Sequence, residues 1–598
     1  MSSKLEQNIF SKYYFYVLEK WFEKPSSRPF IEYTLSEMSS KWDNKNIFIV
    51  EAPTGYGKTT LTATLALYTL KNELKTIIVY PLRSLLEDQY KKFSKLLGEE
   101  DVLGKRYMHN PQSRYLIKPI TLTTVDTLSL NLFGIPPEDL DKVVKKWSGT
   151  LTGSLGHYLF SWASTILSNI VLDEVHLLAD QTKSLNFLFA LMKIVIHNDQ
   201  RLVLLTATLP KTLKDLILND KIIEETVEII EFDESIDPDF VHERLDKNYD
   251  IEIEALNMDE KFTRLTDVLK DYLNDNSDFK RFLIVFNTVR DAIEFYKLLQ
   301  DKFPGIPKIL LHSRFTEKDR EKKISNLNEK ISKCKRYLIV ATQVVEAGID
   351  ISSDFLICEA APANSLIQRM GRFLRFPGEK RGKIYIWFEV KDKNKELKSK
   401  GVYDTTLVRK TIDFLESIKK SSSRFNVHLP SHYKHFLNSV YSEEDFRANS
   451  GEVDELIRIT FLLDRMSLAA LEKLIELEGS FVRESFQISV IPEERLEQFL
   501  TGKLDFKDLI PLNYNLLEKL DKVKAIKAIK EHEHGKTTFE VKELYIKIPY
   551  GKLVEKIIKE NIIALVAPIS YDEDFGAVLD GLENSMKLKS INNEEERR

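Results

Sequence analysis

Residues Ala52-Pro53-Thr54-Gly55-Tyr56-Gly57-Lys58-Thr59 follow an apolar run at Ile47–Val50 and precede a helical pattern that begins around Thr60. Gly55 and Gly57 permit a backbone turn that points N–H groups at an anion, and the positive end of the following helix favours the same charge. Lys58 has the reach to meet terminal phosphates, and the Thr59 hydroxyl suits a Mg²⁺ ion. The spacing therefore predicts a loop, Thr54 to Thr60, that binds the phosphates of a nucleoside triphosphate with Mg²⁺.

Downstream, the run Asn169–Leu172 ends in Asp173-Glu174-Val175-His176. If that run is a strand beside the first, both carboxylates fall at the sheet edge where the phosphates lie. Asp173 then suits a Mg²⁺ ligand, and Glu174 suits polarising the water that attacks a γ-phosphate. Three further segments close strands or open helices: Thr206-Ala207-Thr208, Thr342 to Asp350, and Gln368-Arg369-Met370-Gly371-Arg372-Phe373-Leu374-Arg375.

With these segments in order, the chain resembles the superfamily-two DExH helicases, with motifs I, II, III, V and VI. The resemblance implies two RecA-like domains that sandwich ATP, with Gly348 and Asp350 of motif V and Gln368, Arg372 and Arg375 of motif VI entering from the second domain. It also implies that His176 links motif II to motif III. Tyr80 to Ser84 is similar to motif Ia, Thr121 to Asp126 to motif Ib, and Phe286 to Thr288 to motif IV. Arg83, Thr124, Thr288 and Thr342 are the expected donors to nucleic-acid phosphates, contacts that fix strand position without reading sequence. Thr206 to Pro210, Leu311-His312-Ser313-Arg314-Phe315 with Asp319-Arg320, Thr342 to Asp350, and Tyr571-Asp572-Glu573-Asp574-Phe575-Gly576 look like the CRISPR-associated Cas-three helicases of type I interference. That family implies single-stranded DNA as substrate, a Cascade-type guide-RNA surveillance complex as partner, and 3′-to-5′ movement. A glutamine-containing motif expected ahead of the loop is not evident in Ser26–Met38.

The elements that must position these residues follow from patterning. Short β-branched runs alternating with longer helical ones from Asn46 onward predict an α/β fold with parallel sheets, two tandem RecA-like domains, and a mainly helical C-terminal accessory region. The expected divisions are a helical segment at 1–40, a first domain at 41–230, an acidic linker at 231–250, a second domain at 251–395 and the accessory region at 396–598. A strand and hairpin are expected within Thr537–Leu579. Phe10, Tyr13, Tyr14, Val17 and Trp21 recur at helical spacing over ~5–24, an aromatic face expected to pack on its neighbour.

With 598 residues, 43% hydrophobic and 30% charged, the chain is of multidomain globular composition. Lys+Arg 87 against Asp+Glu 92 leaves net charge -5, so any nucleic-acid contact must come from a local basic groove. Two cysteines argue against a disulfide framework, and no apolar run approaches the ~20 residues of a membrane helix, so a cytoplasmic protein without membrane contact is expected. None of the 11 histidines precedes Asp, the dipeptide that the family's HD nuclease chemistry needs, so a separate HD-type nuclease subunit is expected. The competing readings are a stand-alone DExH helicase in repair or RNA metabolism and a nucleotide-sensing scaffold with little turnover.

Overall fold

The computed structural model describes residues 8–98, 101–107, 112–147, 158–179, 181–273, 278–391, 396–398, 400–421, 425–462, 465–484, 487–517, 520, 522–530 and 537–579. Seven parallel strands build the first sheet: β1 (Ile47–Glu51), β2 (Lys75–Tyr80), β3 (Leu103–Arg106), β4 (Ile120–Thr124), β5 (Ser168–Leu172), β6 (Leu202–Thr206) and β7 (Val227–Glu231). Their order is β3-β4-β2-β5-β6-β1-β7. β5, β6 and β1 are thus adjacent, and the loops leaving them share one edge. β1 and β6 are buried along their whole length, as both faces are covered by helices.

A second parallel sheet follows, of β8 (Asn248–Asn257), β9 (Arg281–Val285), β10 (Lys308–Leu311), β11 (Tyr337–Ala341), β12 (Phe355–Glu359) and β13 (Arg381–Val390). Its order is β10-β11-β9-β12-β13-β8. The stretch expected as a linker contains a helix, Pro238–Leu245, capped by Asp237. Phe240 of that helix packs edge-on against Tyr56 of the phosphate loop, and the Tyr56 hydroxyl donates to Asp237 at 2.6 Å. The segment therefore belongs to the packing of the first lobe.

Beyond the second sheet the chain is helical from Thr405 to Glu476, and then strands begin earlier than patterning suggests. β14 (Gln487–Pro492), β15 (Ile510–Asn513), β16 (Lys522–Lys530), β17 (Thr537–Tyr545) and β18 (Ile562–Ala567) form a five-stranded mixed sheet in the order β15-β14-β18-β16-β17. A two-stranded ribbon, β19 (Ser570–Asp572) and β20 (Gly576–Val578), follows.

The N-terminal helix runs Ser11–Trp21 and buries Tyr14 and Val17, with Phe10 just before it also buried. Phe10 meets Trp42 and Tyr68 edge-on, and Trp21 meets Phe93. The aromatic stripe is core packing against the first lobe. Among the described residues, no helix is long and apolar enough to cross a membrane.

Candidate functional site

Gly55 (φ 78) and Gly57 (φ 115) occupy left-handed backbone that glycine adopts without strain, and Gly57 caps the helix Lys58–Lys71. Lys58 is 8% exposed and its ammonium donates to the Ala52 carbonyl at 3.1 Å, folding across the loop where a phosphate would compete for it. Thr54 and Thr59 are half-buried beside it, and Thr60 is buried.

β5 delivers Asp173 and Glu174 to the same edge. Glu174 adopts a left-handed conformation (φ 53, ψ 47), a strained state for a residue with a Cβ that persists only where its surroundings impose it. Its N–H donates to Asp173 Oδ1 at 2.9 Å, and its Oε2 is buried without a hydrogen-bond partner. Burial, then the neighbouring Glu174 carboxylate, drives the Asp173 carboxyl well above the usual carboxylate range, against the pull of Lys58. A buried and a half-buried carboxylate with one orphaned oxygen form a donor set suited to a hard divalent cation.

His176 is buried, and burial lowers its basicity. The Thr206 hydroxyl donates to the Thr208 carbonyl at 3.2 Å, so the His176 Nδ1 at 3.2 Å from that oxygen carries the proton and donates to it. The same Nδ1 lies 3.5 Å from Glu174 Oε2. The DExH turn after β5 is thereby tied to the Thr-Ala-Thr turn after β6.

From the second lobe, the helix Ala363–Met370 carries Gln368, which is buried. A Cβ added to Gly371 would lie 3.3 Å from Thr54 Cγ2, so the end of this helix abuts the phosphate loop. Arg372 donates from Nε to the Val345 carbonyl and from Nη2 to the Glu346 carbonyl, each at 2.8 Å, which leaves Nη1 as the group able to meet an anion. Arg375 pairs with Asp350 at 3.2 Å while its Nη1 is buried without a partner. Arg369, fully buried, is held by Glu346 at 2.8 Å and is a structural arginine. Gly348 (φ 81) sits where a Cβ would meet Ser84 Oγ at 2.7 Å and the Leu85 nitrogen at 2.8 Å, bringing motif V onto the start of the helix Arg83–Leu97.

The candidate strand-contacting residues fall differently. Thr124 and Thr288 cap helices, accepting from the Thr127 and Asp291 N–H groups, and Thr342 is buried at the end of β11. Arg83 packs over the Tyr107 ring, and burial lowers its basicity despite Glu317 nearby. Two cations that patterning does not mark for this role stand with it. Arg320 donates to the Ser313 and Phe315 carbonyls while its Nε is buried and unpartnered, and Arg83 is close enough to repel it. Arg483, from the accessory region, pairs with Asp126 through two bonds of 2.7 Å and also adds positive potential at Arg83. No local spacing signals this meeting, since it joins three distant stretches.

Residues 34–216 match the family model of DEAD/DEAH box helicases, and residues 278–378 match that of the C-terminal part of the CRISPR-associated nuclease/helicase Cas3. A putative CRISPR-associated nuclease/helicase Cas3 of Methanocaldococcus jannaschii is 28% identical over 442 residues, 67% of this chain and 55% of that relative. The crystal structure of T. fusca Cas3 with AMPPNP superposes with TM-score 0.56 at 17% identity, over 80% of this chain and 60% of that one. A chain of a structure titled CRISPR RNA-guided surveillance complex, pre-nicking, superposes with TM-score 0.55 at 15% identity, over 92% of this chain and 68% of that one. Residues 34–216 thus resemble a DEAD/DEAH box helicase, and the fold is shared with solved Cas3 chains. Residues 278–378 resemble the C-terminal part of Cas3, and the chain spans about half the length, 55%, of the M. jannaschii relative.

Proposed function

We propose that this chain is an ATP-driven single-stranded DNA translocase that unwinds target DNA in type I CRISPR interference. The observation that carries the reading is the pair of lobe-to-lobe contacts, Gly371 against Thr54 and Gly348 against Ser84 and Leu85. The first joins motif VI to the phosphate loop and the second joins motif V to the strand-facing motif Ia. A change in lobe closure must therefore alter both the nucleotide cleft and the grip on a strand.

In this reading Thr54 to Thr60 cradle the phosphates, and Lys58 exchanges the Ala52 carbonyl for a phosphate oxygen. Thr59 and Asp173 would hold Mg²⁺, which supplies charge neutralisation on the phosphates when bound. Glu174 orients and polarises the attacking water, steadied by His176. Gln368, Arg372 Nη1 and Arg375 face the developing charge only when the lobes close, and Gly348 and Asp350 set that edge. Arg83, with Arg320 and Arg483, lines the strand path where both lobes and the accessory region meet. Thr124 and Thr288 cap the helices at the same sheet edges, and Thr342 is buried there, so all three shape the path more than they touch a strand.

The nuclease activity is assigned to a separate HD-type polypeptide. His432 Nδ1 accepts the Asn426 N–H at 2.9 Å, and His428 is half-buried against the rings of Tyr249 and Phe373, which suits packing rather than ligation. His532 and His534 lie outside the described residues. Glu452, Glu455 and Glu476 converge, but the Lys473 ammonium already pairs with all three. A guide-RNA surveillance complex would supply target choice, because the strand-path cations suit phosphates and not bases.

The test measures ATP turnover and ATP-dependent strand displacement with single-stranded DNA, single-stranded RNA and no polymer. Stimulation by DNA above RNA supports the reading. Equal rates without polymer would remove it.

A further inference from the structure

The helix Pro430–Val440 of the accessory region touches both lobes at the back of the nucleotide cleft. On the first lobe, Asn438 Oδ1 accepts the Lys211 N–H at 2.8 Å, just after the motif III turn that ends at Leu209 and Pro210. Lys434 pairs with Glu231 at 2.6 Å and lies 3.9 Å from Glu51, the buried last residue of β1 immediately before the phosphate loop. Glu51 Oε2 in turn accepts from the Thr208 hydroxyl and the Leu209 N–H, each at 3.4 Å. On the second lobe, the Tyr441 hydroxyl donates to Asn364 Oδ1 at 2.6 Å, on the first turn of the helix that carries Gln368.

Between these attachments lies a cavity. His176 and Thr208 line it from the first lobe, Gln368 from the second, and Leu437, Tyr441 and Phe446 from the accessory region. The aromatic pair Tyr441 and Phe446, which stacks at 5.4 Å, forms part of its lining. The DExH turn, the Thr-Ala-Thr turn and the motif VI helix thus converge on an apolar wedge that neither lobe supplies.

We infer that the helix Pro430–Val440 with Tyr441 is a third wall of the ATPase cleft, and that Tyr441 is a positioning residue that holds the motif VI helix through Asn364. This rests on the hydrolysis reading above. The Tyr441 hydroxyl touches no reacting atom. Its hydrogen bond fixes the start of a short helix whose other end presents Gln368 and Arg372 to the nucleotide. Removing it leaves each lobe and its phosphate loop intact but widens the orientations available to motif VI, so the loss falls on turnover and not on nucleotide affinity.

The experiment uses the full chain carrying Tyr441→Phe, Asn364→Ala or both, with Glu174→Gln as reference. kcat and KM for ATP are measured with saturating single-stranded DNA, nucleotide affinity with a fluorescent ADP, and folding by thermal melt. Expected for Tyr441→Phe is a two- to tenfold fall in kcat, the range of one hydrogen bond, with KM and ADP affinity within twofold of wild type and the melt unchanged. Asn364→Ala should give a similar fall, and the double variant no more than the larger single effect. Unchanged kcat, additive losses, or kcat and ADP affinity falling together with the melting temperature would overturn the assignment. If Glu174→Gln also leaves turnover intact, the hydrolysis reading itself has failed.

Discussion

The Nε2–H of His312 donates to the carbonyl of Phe575 at 2.9 Å, joining two stretches that lie 263 positions apart. The proton sits on Nε2 because Nδ1 accepts the Arg314 N–H at 3.1 Å. Around this bond the Tyr571 hydroxyl donates to Asp319 at 2.5 Å and accepts from the Thr316 N–H, and the Ala577 N–H reaches the Arg314 carbonyl. The ribbon of β19 and β20 is thus a clasp on the loop after β10.

The clasp makes stability pH-dependent. Burial holds the His312 imidazole down at about 3, against about 6.5 in an unfolded chain. Between those values the unfolded chain takes up a proton that the folded chain refuses. The stabilisation is complete above about pH 6.5 and is lost progressively as pH falls toward 3. His312→Asn, which retains a donor without a titrating ring, should flatten the fall in melting temperature between pH 6.5 and 4. A His312→Asn profile parallel to wild type would show that the imidazole is not held neutral.

Gly576 has φ +73, and a Cβ there would stand 2.6 Å from His312 Cε1. Gly576→Ala must therefore strain its backbone and displace the imidazole, at a cost of about 1–3 kcal/mol. Hydrogen exchange should rise across 570–578 and 312–316 while the first sheet stays protected. Unaltered exchange in the ribbon would show that the contact does not hold it.

Glu174→Gln keeps the size of the side chain and removes its capacity to take a proton. Hydrolysis should slow by about 10²- to 10⁴-fold with ATP and DNA binding preserved. Turnover within a few-fold of wild type, measured by phosphate release, would move the catalytic role elsewhere.

The turns at Thr54–Thr60 and Asp173–His176 are legible in the sequence because each is a local string whose glycines, cation or carboxylates follow one strand end. Parallel sheets are legible for a similar reason, since strands such as Ile47–Glu51 and Leu202–Thr206 are apolar on both faces. The strands β14 and β15 escape such reading. They are short, and Pro492 ends the first while Pro511 falls inside the second. Arg320, Arg483 and Tyr441 escape because their surroundings come from chain segments up to 357 residues distant, as for Arg483 and Asp126. The guanidinium of Arg372 illustrates the converse. Its motif is plain, yet two of its three nitrogens serve the backbone of motif V.

Gly348→Ala should uncouple the lobes. The residue has positive φ, and its Cβ would fall within 2.8 Å of Ser84 Oγ and the Leu85 nitrogen, forcing motif V away from motif Ia. DNA-stimulated turnover should fall at least tenfold, whereas nucleotide affinity, which the proposed function assigns to Thr54 to Thr60, should change little. Retained stimulation by DNA would show that the lobes communicate by another route.

Arg83, Arg320 and Arg483 differ in what they must give up to meet a phosphate, and this orders their substitutions. Arg83 has no ion pair within hydrogen-bond reach among the described residues, and is held by the Tyr107 ring and the more distant Glu317 and Asp126 carboxylates, so it gives up least to meet an anion. Arg320 offers its unpartnered Nε while its Nη2 stays on the Ser313 and Phe315 carbonyls. Arg483 must first part from Asp126. Each phosphate contact on a single strand contributes about 0.7 to the slope of log affinity against log salt. Arg83→Ala and Arg320→Ala should each lower that slope by about 0.7 and weaken all base sequences alike. Arg483→Ala should change it less, because Asp126 already neutralises most of that guanidinium's charge within the pair. Titrations of labelled oligonucleotides of differing sequence across a salt series read both quantities. A slope unchanged by Arg83→Ala, or a loss confined to one base sequence, would take the strand path away from this junction.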